Sequence, residues 1–83
     1  MDTLEMIEAS FRKSFPDARV VAFNSDDYMK SSYVTCEFGN RAVTLRIVGT
    51  SGYGVRDLKL DLREEIFGSF GSALLRAAQI LRS

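Results

Sequence analysis

The glycine-rich stretch GTSGYG, residues 49–54, is the first candidate for chemistry, because such loops can present backbone N–H groups to phosphate. A phosphate cradle normally opens a helix and carries a following lysine, whereas here Gly54 is followed by Val55 and a strand-like run. The pattern therefore predicts a flexible connection between two strands. A partner-binding loop with Tyr53 at its tip is the alternative, because an exposed tyrosine offers contact area at modest entropic cost.

Side chains suited to catalysis are scarce in this chain. It has no histidine, so catalytic triads, histidine acid–base relays and histidine-rich metal sites are excluded. The single cysteine, Cys36, falls on the inward side of a predicted hairpin, where we expect a buried apolar residue and not a nucleophile. The carboxylate pairs at residues 26–27 and 64–65 fall in a predicted loop and a predicted first helical turn, where negative charge is favourable. We therefore predict no enzyme, no metal site and no cofactor.

Length and composition indicate a single globular domain over residues 1–83. The chain is 46% hydrophobic and 27% charged, and a domain of this size has a thin core. Its 11 basic and 11 acidic residues balance, which removes long-range attraction to nucleic acid or to an anionic membrane. The acidic start MDTLEM is unlike a signal peptide, and no apolar run reaches bilayer-spanning length, so we expect a cytoplasmic protein without a membrane partner.

The N-terminal third predicts one helix followed by one strand. In LEMIEASFRKSF, residues 4–15, apolar side chains recur at spacings of three and four, which predicts an amphipathic helix ended by Pro16. The β-branched and aromatic run RVVAFNS, residues 19–25, predicts a first strand, and the polar residues after it predict a loop.

A hairpin centred on Gly39 and Asn40 is the strongest prediction. This pair suits the positive φ angles of a two-residue turn between two alternating runs. The predicted cross-strand neighbours are Cys36 with Val43, Val34 with Leu45, Tyr33 with Arg46, Thr35 with Thr44, and Glu37 with Ala42. The turn length and the alternation of each strand give the same register, because both place the apolar residues on one side.

The C-terminal part predicts a fourth strand and a second helix. In VRDLKLD, residues 55–61, alternation places Leu58 and Leu60 inward and Lys59 outward. A capping box of Asp61 and Glu64 then predicts a helix from about Leu62. Its predicted core stripe is Ile66, Phe70, Ala73, Leu74, Ala77, Ile80 and Leu81.

These elements give the order α-β-β-β-β-α, which predicts an α+β two-layer sandwich. Its sheet is antiparallel with both helices on one face, and the other face is open to solvent. Tyr33 and Arg46 are then neighbours on that open face, and Lys59 joins them if the fourth strand pairs beside the third. An aromatic ring flanked by cations is how many modules hold single-stranded nucleic acid, whereas the alternative is a cation–π pair that only stabilises a solvated face.

The helix segment around FGSFGS offers a second candidate surface. Glycine inside a helix costs about 1 kcal/mol relative to alanine, which calls for a reason. On a helical wheel Gly68, Gly71, Ser72 and Leu75 lie together opposite the core stripe, so another helix, from a second copy or a partner, can approach closely. Alternatively the helix breaks at these glycines and restarts with Ser72 as its N-cap.

Together these features favour a small non-catalytic module that binds another protein. It would bind through the small-residue helix face, with a homodimer as one form, or through the open sheet face with the Tyr53 loop. The specific hypothesis, from size and compactness alone, is a phage or mobile-element inhibitor of a host defence or regulatory complex. The alternative is a nucleic-acid-binding module that uses Tyr33, Arg46, Arg56 and Lys59.

Overall fold

The computed structural model describes residues 3–23, 32–48, 52–60 and 63–83. Its elements are α1 (Thr3–Ser14), β1 (Arg19–Phe23), β2 (Tyr33–Phe38), β3 (Arg41–Val48), β4 (Gly52–Asp57), β5 (Glu65–Phe67) and α2 (Phe70–Arg82). The strands form one antiparallel sheet in the order β1-β2-β3-β4-β5. The predicted α+β sandwich is confirmed, with one strand more than predicted.

Both helices pack on the same face of the sheet. α1 lies against β1 and β2, and α2 lies against β3, β4 and β5. The inward side chains of the central strands join those of both helices in one cluster, which includes Val34, Leu45, Val55, Phe11 and Ala77. Because these strand residues alternate with exposed or half-buried neighbours, the opposite face of the sheet stays open. Neither of these helices is long and apolar enough to cross a membrane.

The central hairpin has the predicted register. Tyr33 stands opposite Arg46, Val34 opposite Leu45, and every other predicted pair is present. Gly39 has a φ of 61°, in the left-handed region that favours glycine at the first position of such a loop. α1 likewise follows its predicted pattern and ends at Ser14, before Pro16.

β4 begins earlier than predicted and has the opposite phase. It starts at Gly52, within the predicted loop, and it ends at Asp57, so Leu58 and Leu60 lie in the following turn. Leu60 is 72% exposed, and the prediction that it points inward is wrong. The prediction assigned apolar residues to the inward positions of this strand. The charged residue Asp57 occupies one of them, with only 8% of its surface exposed.

The predicted start of the last helix is also wrong. Residues 65–67 form β5, which pairs with β4, and α2 begins only at Phe70. Ser69 is the N-cap, and its Oγ accepts a hydrogen bond of 3.2 Å from the Ser72 backbone N–H. Ile66 belongs to β5 and is 58% exposed, so it is not part of the helical stripe. Asp61 of the predicted capping box lies outside the described residues.

Candidate binding face

The sheet surface opposite the helices, here called the open face, is built from two rows of side chains across the strands. The first row consists of Phe23, Tyr33, Arg46, Gly54 and Ile66, one residue from each strand. The second row consists of Val21, Thr35, Thr44 and Arg56. The antiparallel registers alone bring these residues together from positions 21–66 of the chain.

Two aromatic side chains form one end of the first row. The rings of Phe23 and Tyr33 are stacked, with centroids 5.2 Å apart and an angle of 22° between their planes. Aromatic pairs on neighbouring strands contribute to the stability of a sheet. Sequence reasoning missed this pair because residues 24–31 separate the two strands without a turn signal that fixes their register.

The centre of the open face is an ion pair between Arg46 and Glu64. Arg46 Nε donates to Oε2 at 2.8 Å, and Nη2 donates to Oε1 at 2.5 Å. This hydrogen bonding is the main cause that holds the pKa of Glu64 below its ordinary value, and it raises the pKa of Arg46. Arg46, the predicted cation beside Tyr33, is therefore paired with the carboxylate of Glu64. The sequence had predicted that Glu64 lies in a helix.

Arg56 is the second cation of the open face. It stands opposite Thr44, is exposed, and makes no ion pair or hydrogen bond with the part of the chain that the structure describes. After the bonds and charge of Arg46, its charge also helps to lower the pKa of Glu64. Lys59, which was expected to join this group, lies instead in the turn after β4, where its N–H donates to Asp57.

A concavity of about 530 Å³ lies on the open face between these groups. It is lined by Tyr33, Thr35, Thr44, Arg46, Arg56, Leu58 and Glu64. The hydroxyls of Thr35 and Thr44 are 3.4 Å apart, in the predicted threonine pair. The concavity thus combines Arg56, which pairs with none of the described residues, three hydroxyl groups and an apolar wall that includes Leu58.

Tyr53 does not occupy the tip of a loop, so that prediction is wrong. It lies in β4, is half-buried, and packs its ring against Phe70 with centroids 5.8 Å apart. Its side chain points to the helical side because its neighbours in the pairing are Ile47 and Phe67. The loop residues 49–51 lie outside the described residues.

The second predicted surface, on α2, is smaller than expected. Gly71, Ser72 and Leu75 are exposed on the outer side of the helix, and Leu75 is 62% exposed. Gly68 precedes the helix and cannot contribute to a helical face. The alternative of a helix restarting at Ser72 is wrong as well, because Ser69 is the N-cap and Ser72 bonds to it.

Cys36 is fully buried between the sheet and the helices. Burial raises the pKa of its thiol to about 11, and the charge of Glu37 adds to this. Such a thiol is neither exposed nor ionised at neutral pH, as expected for a core residue. Among the described residues, no three His, Cys, Asp or Glu side chains are grouped so that they could hold a metal ion.

Comparison with known proteins adds no relative. No protein-family model matches the chain, and no curated protein or solved structure matches it significantly. The geometry of the open face and of α2 is therefore the basis for the proposals below.

Proposed function

We propose that this protein is a small non-catalytic module that binds another protein through the open face. The observation that carries the proposal is the exposure of large apolar side chains there: Val21 is 50%, Phe23 45% and Ile66 58% exposed. They flank the concavity from both edges of the sheet, with polar groups between them. Exposed aromatic and large apolar side chains beside an arginine are typical anchors of protein interfaces.

The polar groups at the centre of the open face are already paired. Arg46 bonds to Glu64, and the hydroxyls of Thr35 and Thr44 adjoin each other. A docking protein can therefore cover Arg46 and Glu64 without leaving either charge unpaired, which would add to the cost of burying them. The open face is rigid as well, because the side chains project from paired strands.

Arg56 indicates the chemistry of the partner. It lies at the wall of the concavity, pairs with no residue in the described ranges, and has the Thr44 hydroxyl opposite it. A carboxylate of the partner would bond to the guanidinium there, while apolar side chains next to it would cover Phe23 or Ile66. The proposed partner segment is therefore acidic and apolar.

A single-stranded nucleic acid is the second candidate partner of the same face. The stacked pair of Phe23 and Tyr33 beside cations supports it, because bases stack on such rings. One feature favours a protein instead: Glu64 neutralises Arg46, which leaves fewer cations on this face for a phosphate backbone.

Other predictions remain proposals. The exposed residues of α2, with Leu75 as anchor, are an alternative binding surface and an alternative contact for a homodimer. Inhibition of a host defence or regulatory complex is the biological role proposed from size alone. The cytoplasm is the proposed location, in keeping with a single, unpaired cysteine.

Affinity capture from the native host with matched variants tests the binding face. Tagged protein is compared with Arg56→Glu, Ile66→Asp and Leu75→Asp, and captured proteins are quantified by mass spectrometry. We expect a partner that the wild type and Leu75→Asp retain and that both open-face variants lose at least tenfold. Thermal unfolding confirms that each variant is folded.

Two results would overturn this assignment. If Leu75→Asp alone abolishes capture, the partner binds α2. If a fluorescent single-stranded oligonucleotide binds, with an affinity that falls steeply between 50 and 200 mM salt and is lost in Arg56→Glu, the second candidate is correct, since phosphate contacts make binding salt-dependent.

A further inference from the structure

The outer edge of β1 has no strand beside it in the described part of the chain. β1 pairs with β2 on one side only, whereas the opposite edge of the sheet is the three-residue strand β5. Proteins usually protect an exposed edge by a short strand, proline, a bulge or charged side chains. β1 carries one charged residue, Arg19 at its start, and residues 20–23, VVAF, contain neither charge nor proline, so β1 is the less protected edge.

The exposure of the β1 side chains shows that α1 does not cover this edge. Val21 and Phe23 are exposed on the open face, and Ala22, which points to the helical side, is exposed too. A helix that overhung the edge would bury Ala22. Both surfaces of the end of β1 are therefore accessible, together with the backbone groups of its outer edge, which pair with no strand in the described part of the chain.

We infer that a second copy of this chain pairs with β1, antiparallel and centred on Val21. In this register Val21 faces its own copy, Val20 faces Ala22, and Arg19 faces Phe23, so every residue of the strand is paired. The exposed Val21 side chains meet across the two-fold axis. The two open faces then join into one continuous surface.

The charge pattern of β1 favours a second copy over an unrelated strand. Its one charged residue, Arg19, and its aromatic residue, Phe23, lie equally far from Val21. Antiparallel self-pairing therefore sets each guanidinium against a phenyl ring, where a cation–π contact is favourable, and separates the two arginines. Like charges directly opposite each other, which would oppose pairing, are avoided.

The contact uses the strand edge and includes Val21 and Phe23 of the open face, while the concavity and Ile66 lie away from it. Residue 21 faces itself in the dimer, which allows a charge-reversal test. Val21→Lys and Val21→Glu each place like charges opposite one another, and each should weaken dimerisation about tenfold. An equimolar mixture of the two should form a mixed dimer, detected by native mass spectrometry and sedimentation velocity. Ile66→Lys, on the opposite edge, should dimerise as the wild type does.

A cross-linking experiment tests the register directly. In a Cys36→Ser background, Val21→Cys should form a disulfide-linked dimer at least tenfold faster than Leu75→Cys does. The reason is that the two residues 21 of the dimer lie opposite each other, at the distance of a cross-strand pair. Circular dichroism establishes that the variants fold. A wild type that sediments as a monomer at millimolar concentration overturns the inference. Faster linking through Leu75→Cys overturns it too and assigns the dimer to α2.

Discussion

Arg46 and Glu64 meet on the open face in a two-pronged ion pair, with N–O distances of 2.8 and 2.5 Å. The backbone of Gly54 passes beneath this pair on the strand between them. A Cβ at Gly54 would overlap the carboxylate of Glu64. Glycine in the middle of a strand normally weakens the strand. Here the Glu64 carboxylate, which occupies the space of a side chain at position 54, explains why residue 54 is glycine.

Gly54→Ala should therefore destabilise the protein, although alanine is the better strand residue. We expect a loss of about 1 kcal/mol, because the new methyl group displaces a charged hydrogen-bond partner of Arg46. In a Glu64→Ala background the same change should instead stabilise by about 0.5 kcal/mol, the entropic gain of alanine over glycine. Urea denaturation of the four proteins measures the coupling. Equal costs in both backgrounds would show that Glu64 does not determine the residue at position 54.

Glu64 should make stability depend on pH in the acidic range. Its pKa is lower in the folded state than the ordinary value of 4.5, chiefly because Arg46 donates hydrogen bonds to it. The resulting stabilisation is complete above pH 4.5 and is lost as pH falls through the folded-state pKa. Wild type should exceed Glu64→Gln in unfolding free energy at pH 7, by up to about 1 kcal/mol for this partly exposed pair.

The two proteins should converge as the pH falls below 4.5 and through the folded-state pKa of Glu64, where the carboxylate takes up its proton. Glu8→Gln is the matched control, because Glu8 takes part only in a surface ion pair with Arg12 within α1. A constant difference between wild type and Glu64→Gln from pH 7 to pH 3 would contradict the role assigned to this pair.

Local signals were enough to predict the centre of the fold. Gly39 and Asn40 fix the turn, and the alternation on either side fixes which residues point inward, so the register from Tyr33 to Arg46 followed without knowledge of the rest. The apolar spacing of α1 and the proline after it were equally sufficient. In each case the determining contacts lie within the element or across a two-residue turn.

The errors concern contacts between residues distant in sequence. Residues 65–67 carry acidic and apolar side chains that suit a helix start, and only pairing with β4 makes them a strand. Asp57 is tolerated at an inward position because Arg41 and two turn N–H groups satisfy it. The stacking of Phe23 on Tyr33 depends on a register that no short turn defines.

Asp57 should be one of the most sensitive polar positions of the fold. Its Oδ1 accepts the N–H groups of Lys59 and Leu60 at 2.9 and 3.1 Å, and its Oδ2 lies 3.6 Å from Arg41 Nη2. Arg41 in turn donates to the carbonyl of Ile80 at 3.1 Å, near the end of α2. Partial burial raises the pKa of Asp57, but the two N–H groups and nearby arginines lower it further, so the carboxylate stays ionised.

Asp57→Ala removes the acceptor of the turn and should cost about 2 kcal/mol, because the N–H groups and Arg41 lose their partner. Asp57→Asn keeps an oxygen for both N–H groups and should cost about half as much. Guanidinium denaturation measures both variants, with Asp17→Asn in the exposed turn after α1 as control. If Asn and Ala are equally costly, the ion pair with Arg41 and not the turn accounts for the effect.

Cys36 provides a native probe for all of these variants. With a pKa of about 11 and no exposed surface, its thiol should not react with a disulfide reagent at pH 8 unless the protein opens. Labelling should then follow the unfolding equilibrium, so a variant destabilised by about 1 kcal/mol should react about fivefold faster. Gly54→Ala should show this acceleration, and Leu75→Asp, which changes only an exposed side chain, should not. Labelling of the wild type at the rate of a free thiol would show that the layer between sheet and helices is accessible without unfolding.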